Sequence, residues 1–332
     1  MCVYFHYHSK GVDFIKYYLG MDIGGTKCAV VLSEKSASSV KDKIRFDTLA
    51  GRGWEKVVGE LISSAKALLS RNGISPCDVI ACGVSCGGPL NSDTGIIMRP
   101  PNLPDWDNVP LADIVKSELG IPCKIRNDAD ACALAEWKFG AGKGCRNMVF
   151  LTFGTGMGAG LIIDGRLYSG TSGTAGEVGH IRLDADGPVA YGKAGSFEGF
   201  CSGAGIAAMG KKMLSIYNGS TIIPRDDVTA KTIAQAADAG DKLANAIYRR
   251  CGEKLGQGIS ILIDILNPEK IVIGSIFQRS GHLLIESMNE AIEKEALSVS
   301  AQCCEVVPAM LGDEIGDFAA LGVAKDFAEG EK

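Results

Sequence analysis

Apolar positions along the chain follow two periods. Short runs with strand character occupy Tyr17 to Met21, Cys28 to Leu32, residues 43–49, Asp78 to Val84, Pro122 to Arg126, Val149 to Phe153, Leu161 to Ile163 and Lys270 to Ile273. Between them lie segments with apolar residues at helical spacing. Trp54 to Ser70 carries Val57, Val58, Leu61, Ile62, Ala65, Leu68 and Leu69 on one face, and Asn72-Gly73 ends it. Asp241 to Leu266 is the longest helix, with a stripe of Ala244, Ile247, Cys251, Leu255, Ile259, Leu262 and Leu266. Gly252, Gly256 and Gly258 weaken that helix by about 1 kcal/mol each relative to Ala and permit close approach by a neighbour. Further helices are expected over Leu111 to Leu119, from about residue 128 to Phe139, over Ser202 to Tyr217, briefly after Val228, and over Gly316 to Phe327.

Two of the strand runs enter glycine turns. The first is Asp22-Ile23-Gly24-Gly25-Thr26-Lys27; the second is Gly154-Thr155-Gly156-Met157-Gly158-Ala159-Gly160. Each joins two apolar runs and reads as a hairpin. Glycines turn the backbone and present bare N–H groups. Thr26 adds a hydroxyl, and Asp22 a carboxylate at a strand end. Such a turn suits a polyphosphate and its magnesium, with amides for oxyanions and a carboxylate for the ion's water shell. An ordinary hairpin turn explains either stretch alone. Two of them, about one domain length apart, resemble the sugar-kinase, heat-shock and actin superfamily, in which paired hairpins grip ATP from opposite sides.

Four other stretches carry candidate chemistry. Ser85-Cys86-Gly87-Gly88-Pro89-Leu90 follows a buried strand, where ligands bind in open α/β sheets. The Arg99 to Trp106 loop, stiffened by prolines, is either a ligand loop or a surface connection. Asn127-Asp128-Ala129-Asp130 opens a helix, and Asn127 or Asp128 could serve simply as its N-cap. The same position holds a carboxylate rigidly, with the helix dipole favouring its ionised form. A carboxylate there can take the proton of a hydroxyl attacking a γ-phosphate, in a reaction where the base mainly orients the nucleophile. After the second hairpin, Glu177 and His180 lie three apart in the glycine-rich stretch from Gly173, suited to polyol hydroxyls.

Composition narrows the class. The 332 residues suffice for two domains, and 46% hydrophobic with 22% charged content is ordinary for a globular protein. The net charge of -5 and the lack of a basic tract argue against nucleic acid and anionic membrane surfaces. The apolar runs are too short to span a bilayer. Residues 1–16 carry no secretion signal and read as a flexible or mis-started leader, despite His6 and His8. The twelve cysteines show no C-x-x-C pair and read as free thiols of a cytoplasmic protein.

Taken together the motifs are specific. Asp22-Ile-Gly-Gly-Thr-Lys27, Pro101-Asn102-Leu103-Pro104-x-Trp106, Asn127-Asp128-Ala129, Gly154-Thr-Gly-x-Gly158 and Gly176-Glu-Val-Gly-His180 resemble, in order and spacing, the ROK family of sugar kinases and sugar-responsive repressors. The resemblance covers residues 17 to 327. It implies ATP- and magnesium-dependent phosphorylation of a hexose or N-acetylhexosamine, with Asp128 as catalytic base. Gly88, Asn102, Asn127, Asp128, Glu177, His180 and Glu198 would hold the sugar. Asp22, Gly24, Gly25, Thr26, Lys27, Gly154, Thr155, Gly156 and Gly158 would hold the ATP phosphates, with magnesium near Asp22. The turn at Gly274 would lie against the adenosine, where only a glycine lets the backbone approach a flat base.

One departure concerns zinc. The family's structural zinc uses the histidine and three cysteines in a pattern like C-x-C-G-x-x-G-C-x-E. Here Val189, Tyr191 and Ser196 stand at the cysteine positions, and Cys201 is out of register. Tetrahedral structural zinc needs thiolate and imidazole ligands, so no zinc is expected. Tyr191 and Phe197 are expected to replace it with apolar packing, leaving His180 free for the sugar.

The expected architecture is α/β, a two-domain ribonuclease H-like fold of the actin/hexokinase type. Residues 1–126 and the closing helix, 316–332, form one domain; residues 127–315 form the other; the active site lies in the cleft between them. Sugar binding would draw the domains together and exclude water from the γ-phosphate. The expected activity is phosphoryl transfer from ATP to a sugar hydroxyl, O6 by preference and glucose by a slight margin, in a homodimer. Two alternatives remain: a DNA-binding repressor, disfavoured by acidity and by the sixteen or so residues before the first strand, and a sugar binder without catalysis. Sugar-dependent ADP release separates the last from a kinase.

Overall fold

The computed structural model describes residues 15–36 and 38–330. The reading of the first residues as a leader, with His6 and His8, lies outside them.

The first half begins with a three-stranded antiparallel meander of β1 (Tyr17–Ile23), β2 (Lys27–Glu34) and β3 (Asp42–Asp47). Helix α1 (Trp54–Arg71) leads to β4 (Val79–Cys86), which pairs parallel to β1. A small ribbon, β5 (Leu90–Asn91) with β6 (Ile96–Ile97), and helix α2 (Leu111–Leu119) precede β7 (Cys123–Asn127). The sheet order is β3-β2-β1-β4-β7. The apolar stripe read on α1 is the buried one, with Val57, Leu61, Ala65 and Leu68 fully covered.

The second half repeats the plan. Helix α3 (Asp128–Phe139) leads to β8 (Met148–Phe153), β9 (Met157–Ile163) and β10 (Arg166–Tyr168), again an antiparallel meander. The chain then forms the ribbon β11 (Val189–Ala190) and β12 (Lys193–Ala194), and helices α4 (Phe197–Phe200), α5 (Gly203–Ile216), α6 (Ala230–Asp238) and α7 (Lys242–Leu266). Strand β13 (Lys270–Ile273), helices α8 (Ile276–Ser280), α9 (Ile285–Glu295) and α10 (Ser298–Ala301), strand β14 (Glu305–Pro308) and helix α11 (Ile315–Gly330) complete it. The sheet order is β10-β9-β8-β13-β14, with β13 parallel to both neighbours. Thus β1-β2 corresponds to β8-β9, β4 to β13 and β7 to β14, which is the repeat the two glycine hairpins foreshadow.

The helices following β7 and β14 cross over. Helix α3 leaves the first sheet and packs on β8 and β9 of the second; α11 leaves the second and packs on β1 and β4 of the first. The two helices also pack against each other, around Leu134, Phe318, Ala319 and Val323. Glu136 ties this junction. It is fully buried, with Oε1 accepting from the amides of Met310 and Leu311 at 3.0 and 2.9 Å and Oε2 accepting from Ala141 at 2.8 Å. Three backbone donors satisfy a carboxylate that would otherwise be costly to bury.

Candidate active site

The loop from Arg99 to Val109 is pinned at every third residue. Leu103, Trp106 and Val109 are buried in the first-half core, while Pro101 and Asn102 stay exposed. Trp106 is fully buried with no partner for its indole N–H among the described residues, so its ring area outweighs a desolvation cost of roughly 1–3 kcal/mol. Asn102 thereby rests on the first hairpin. A Cβ built on Gly25 would lie 2.9 Å from Asn102 Cβ and 3.0 Å from its carbonyl oxygen. Glycine at position 25 therefore serves loop contact, a reason the sequence reading did not include. Thr48, fully buried, fixes the same hairpin: its hydroxyl donates to Gly24 O at 2.7 Å and its amide to Thr26 O at 2.8 Å.

Asp22 closes β1 beside Asp128 and Asp317. Burial first, and those two carboxylates after it, push its pKa up to about 6, against the Ser85 hydroxyl and Arg45. Asp317, on α11, is 2% exposed; Lys43 donates to its Oδ2 at 2.9 Å and its Oδ1 has no partner among the described residues. A site that crowds negative charge in this way fits a hydrated divalent cation next to Asp22. A pocket of about 210 Å³ runs from Asp22, Gly24 and Gly25 past Ser85 and Gly88 to Asn102 and Asp128. Thr26 and Lys27 stand outside its lining.

Asn127 and Asp128 divide two roles that the sequence leaves open. Asn127 is the N-cap of α3, its Oδ1 accepting from the Asp130 amide at 2.7 Å. Asp128 is the first helical residue, its Oδ1 accepting from the Ala129 amide at 2.9 Å. Its carboxylate faces the cleft and remains open to water. Protein packed around it nevertheless strips enough solvent to raise its pKa, against the lowering effect of the Ala129 amide.

The main cavity, about 750 Å³, lies between the two sheets. Gly88, Asn102, Asn127 and Asp128 line one side; Gly154, Thr155, Gly156, Gly158, Glu177, Tyr191 and Glu198 line the other. Glu198, on α4, reaches the second hairpin: its Oε2 accepts from the Met157 amide at 2.8 Å, and a Cβ on Gly156 would lie 2.6 Å from that oxygen. Gly154 and Thr155 continue into a second cavity of about 770 Å³, lined by α6, α7 and α8 residues including Lys231, Gln235, Tyr248 and Arg279. No motif marked these helix faces in the sequence.

Gly274 is not among the residues lining the second cavity; its missing Cβ faces the Phe150 ring at 3.1 Å, and Ser275, with a φ of 58°, lines that cavity. Two expectations need correction. Tyr191 is not apolar filling: it is 49% exposed, and its hydroxyl donates to Glu198 Oε2 at 2.7 Å. Phe197 alone is fully buried. His180 is not free on both faces, because its ring stacks on Tyr191 with centroids 3.7 Å apart, and it is absent from the main cavity's lining. Ser196 caps α4, accepting from Gly199 N, and Val189 is exposed on the ribbon. Among the described residues no three His, Cys, Asp or Glu side chains assemble into a metal-holding group. No helix among them is long and apolar enough to cross a membrane.

A glucokinase of Halalkalibacterium halodurans is 33% identical over 307 residues, 91% of this chain and 92% of its own. The fold matches a ROK family glucokinase from Streptomyces griseus, solved with glucose and AMPPNP, at a TM-score of 0.70 and 28% identity over 94% of this chain and 99% of that one. It also matches a ROK family transcriptional regulator, a homologue of the E. coli MLC protein, at a TM-score of 0.81 and 25% identity over 95% of this chain and 79% of that one. The profile of the ROK family matches residues 18–326, and the chain belongs to that family.

Proposed function

We propose that this protein is an ATP-dependent sugar kinase that phosphorylates a hexose or N-acetylhexosamine, with Asp128 as base. The observation that carries this reading is the position of Asp128. It lines both the main cavity, which the second hairpin also lines, and the pocket at Asp22 beside the first hairpin, so one carboxylate would border the acceptor and both phosphate hairpins. The raised proton affinity of Asp128 suits a group that receives a proton from a sugar hydroxyl. The sugar would contact Gly88, Asn102, the amide nitrogen of Asn127, Glu177 and the free oxygen of Glu198. His180 would act from behind Tyr191.

ATP would lie with its adenosine in the cavity between α6, α7 and α8, and its phosphates between the hairpins at Gly24-Gly25-Thr26-Lys27 and Gly154 to Gly158. Magnesium, held through Asp22 and its water shell, would supply charge neutralisation at the β- and γ-phosphates. The chain's own part is positioning. Asn102 and Glu198 fix the acceptor, Thr155 and the hairpin amides orient the phosphates, and Asp128 takes the proton of the attacking hydroxyl.

We place the domain boundary at residues 126 and 127, with α11 returning to the first domain. The crossing of α3 and α11 supports this division. O6 of glucose is the preferred acceptor, in keeping with the glucokinase relatives. A homodimer and the absence of structural zinc belong to the same proposal; light scattering and metal analysis of purified protein test them.

ADP production with magnesium-ATP, read against glucose, N-acetylglucosamine, N-acetylmannosamine and fructose, tests the activity. Turnover with one sugar is expected. The likeness to a regulator keeps a second reading, a sugar binder without turnover. A sugar that raises the melting temperature but releases no ADP would favour it.

A further inference from the structure

Where the sequence lacks a metal pattern, the structure builds a staple from ordinary side chains. The ribbon β11–β12 turns at Tyr191, whose φ of 54° is in the left-handed region. The Tyr191 ring lies on His180 at 3.7 Å between centroids and 21° between planes. Its hydroxyl donates to Glu198 Oε2 at 2.7 Å, the oxygen that also accepts the Met157 amide. Burial and the neighbouring Glu198 carboxylate raise the Tyr191 pKa, so the phenol keeps its proton and remains a donor.

The base of the ribbon is held separately. Lys193 Nζ donates to His180 O, and Arg182 donates to Ala194 O at 2.9 Å. Asp184 accepts from Lys254, which is 3% exposed on α7, at 2.8 Å and from Arg250 at 3.0 Å. Tyr191 is thus the tip of an anchored ribbon, and that tip lines the main cavity.

We infer that Tyr191 is a positioning residue of the sugar site, holding Glu198 by its hydroxyl and His180 by its ring in place of a metal-ordered loop. The inference rests on the sugar-kinase reading. Glu198 has two oxygens. With Oε2 engaged by Tyr191 and Met157, Oε1 is presented to the cavity in one orientation. A sugar hydroxyl then meets a carboxylate that has little left to reorganise on binding.

Two variants separate the ring from the hydroxyl. Tyr191→Phe keeps the stack on His180 and removes the donor to Glu198. Its sugar KM is expected to rise about tenfold, the scale of one hydrogen bond to a charged group, with the ATP KM within about twofold. Tyr191→Ala loses both contacts and is expected to raise it further. Tyr191→Phe combined with Glu198→Gln is expected to cost little beyond Glu198→Gln alone, because both remove one unit. Melting temperatures within a few degrees of wild type exclude simple unfolding. Unchanged sugar KM in both Tyr191 variants, or full additivity in the double variant, overturns the inference. If the wild type phosphorylates no sugar of the panel, the kinase reading falls. The inference is then decided by the rise in melting temperature with glucose or N-acetylglucosamine. A rise lost in Tyr191→Phe supports it, and a rise kept in both variants, or none in wild type, overturns it.

Discussion

Glu198 accepts the amide of Met157 at 2.8 Å, and Met157 directly follows the Gly154-Thr155-Gly156 turn. The carboxylate proposed to meet the sugar is therefore bonded to the hairpin proposed to hold the phosphates.

Glu198→Gln tests that bond. A Gln amide can keep its oxygen on the Met157 amide but loses the charge and puts an NH2 donor where the second carboxylate oxygen faced the cavity. Sugar kcat/KM is expected to fall about 10- to 100-fold, matching hydrogen bonds to a charged group. A change below twofold in steady-state kinetics would remove Glu198 from the site.

Gly25→Ala tests the contact between the first hairpin and the Asn102 loop. The added methyl would sit 2.9 Å from Asn102 Cβ and 3.0 Å from its carbonyl oxygen, and the backbone there cannot yield cheaply. A loss of about 1–3 kcal/mol in urea unfolding is expected, the usual range for overpacking, together with a raised sugar KM. Unchanged stability would mean that the loop rests on the hairpin less tightly.

Asp130 gives a pH prediction with a definite sign. It is 2% exposed, with the Ser169 hydroxyl donating to Oδ2 at 3.1 Å and no partner for Oδ1 among the described residues. Burial pushes its pKa up to about 6, partly offset by Ser169 and Arg126. A carboxyl that holds its proton more tightly when folded stabilises fully below its unfolded pKa of about 3.9, and that contribution is lost as pH rises through about 6. Relative to Asp130→Asn, the wild type should therefore lose on the order of 2–3 kcal/mol between pH 4 and pH 7, read from urea midpoints. Parallel curves for the two proteins would show that Asp130 does not titrate in this window.

Asp22 titrates in the same range, with its pKa pushed up to about 6. Its ionised form faces the cation on this account. The magnesium concentration for half-maximal ADP production should rise as pH falls through about 6, and Asp22→Asn should raise it at pH 7.5 and remove that pH dependence. A magnesium requirement identical in wild type and Asp22→Asn would place the ion elsewhere.

Much of this was legible in residue order. The α1 and α7 stripes, the two hairpins and the Asn127-Asp128 helix start fall where apolar period and turn chemistry put them, because each depends on neighbours in sequence. Contacts between distant segments were not legible. Gly25 is glycine because of Asn102, Gly274 faces Phe150, and Thr48 locks a turn over twenty residues away. The faces of α6 and α7 that line the second cavity carry no motif, since a cavity wall needs only shape. A lone aromatic at a vacated cysteine position, such as Tyr191, shows neither its stacking partner nor its hydroxyl's acceptor.

In the proposed mechanism Asp128 takes the proton from the sugar hydroxyl. Asp128→Asn, nearly isosteric and still able to accept the Ala129 amide, tests it most directly when turnover and sugar binding are measured together. The expected result is a fall of about 10²- to 10⁴-fold in sugar-dependent ADP production, with the sugar-induced rise in melting temperature retained. Turnover within a few-fold of wild type would contradict the claim and move the base to another residue.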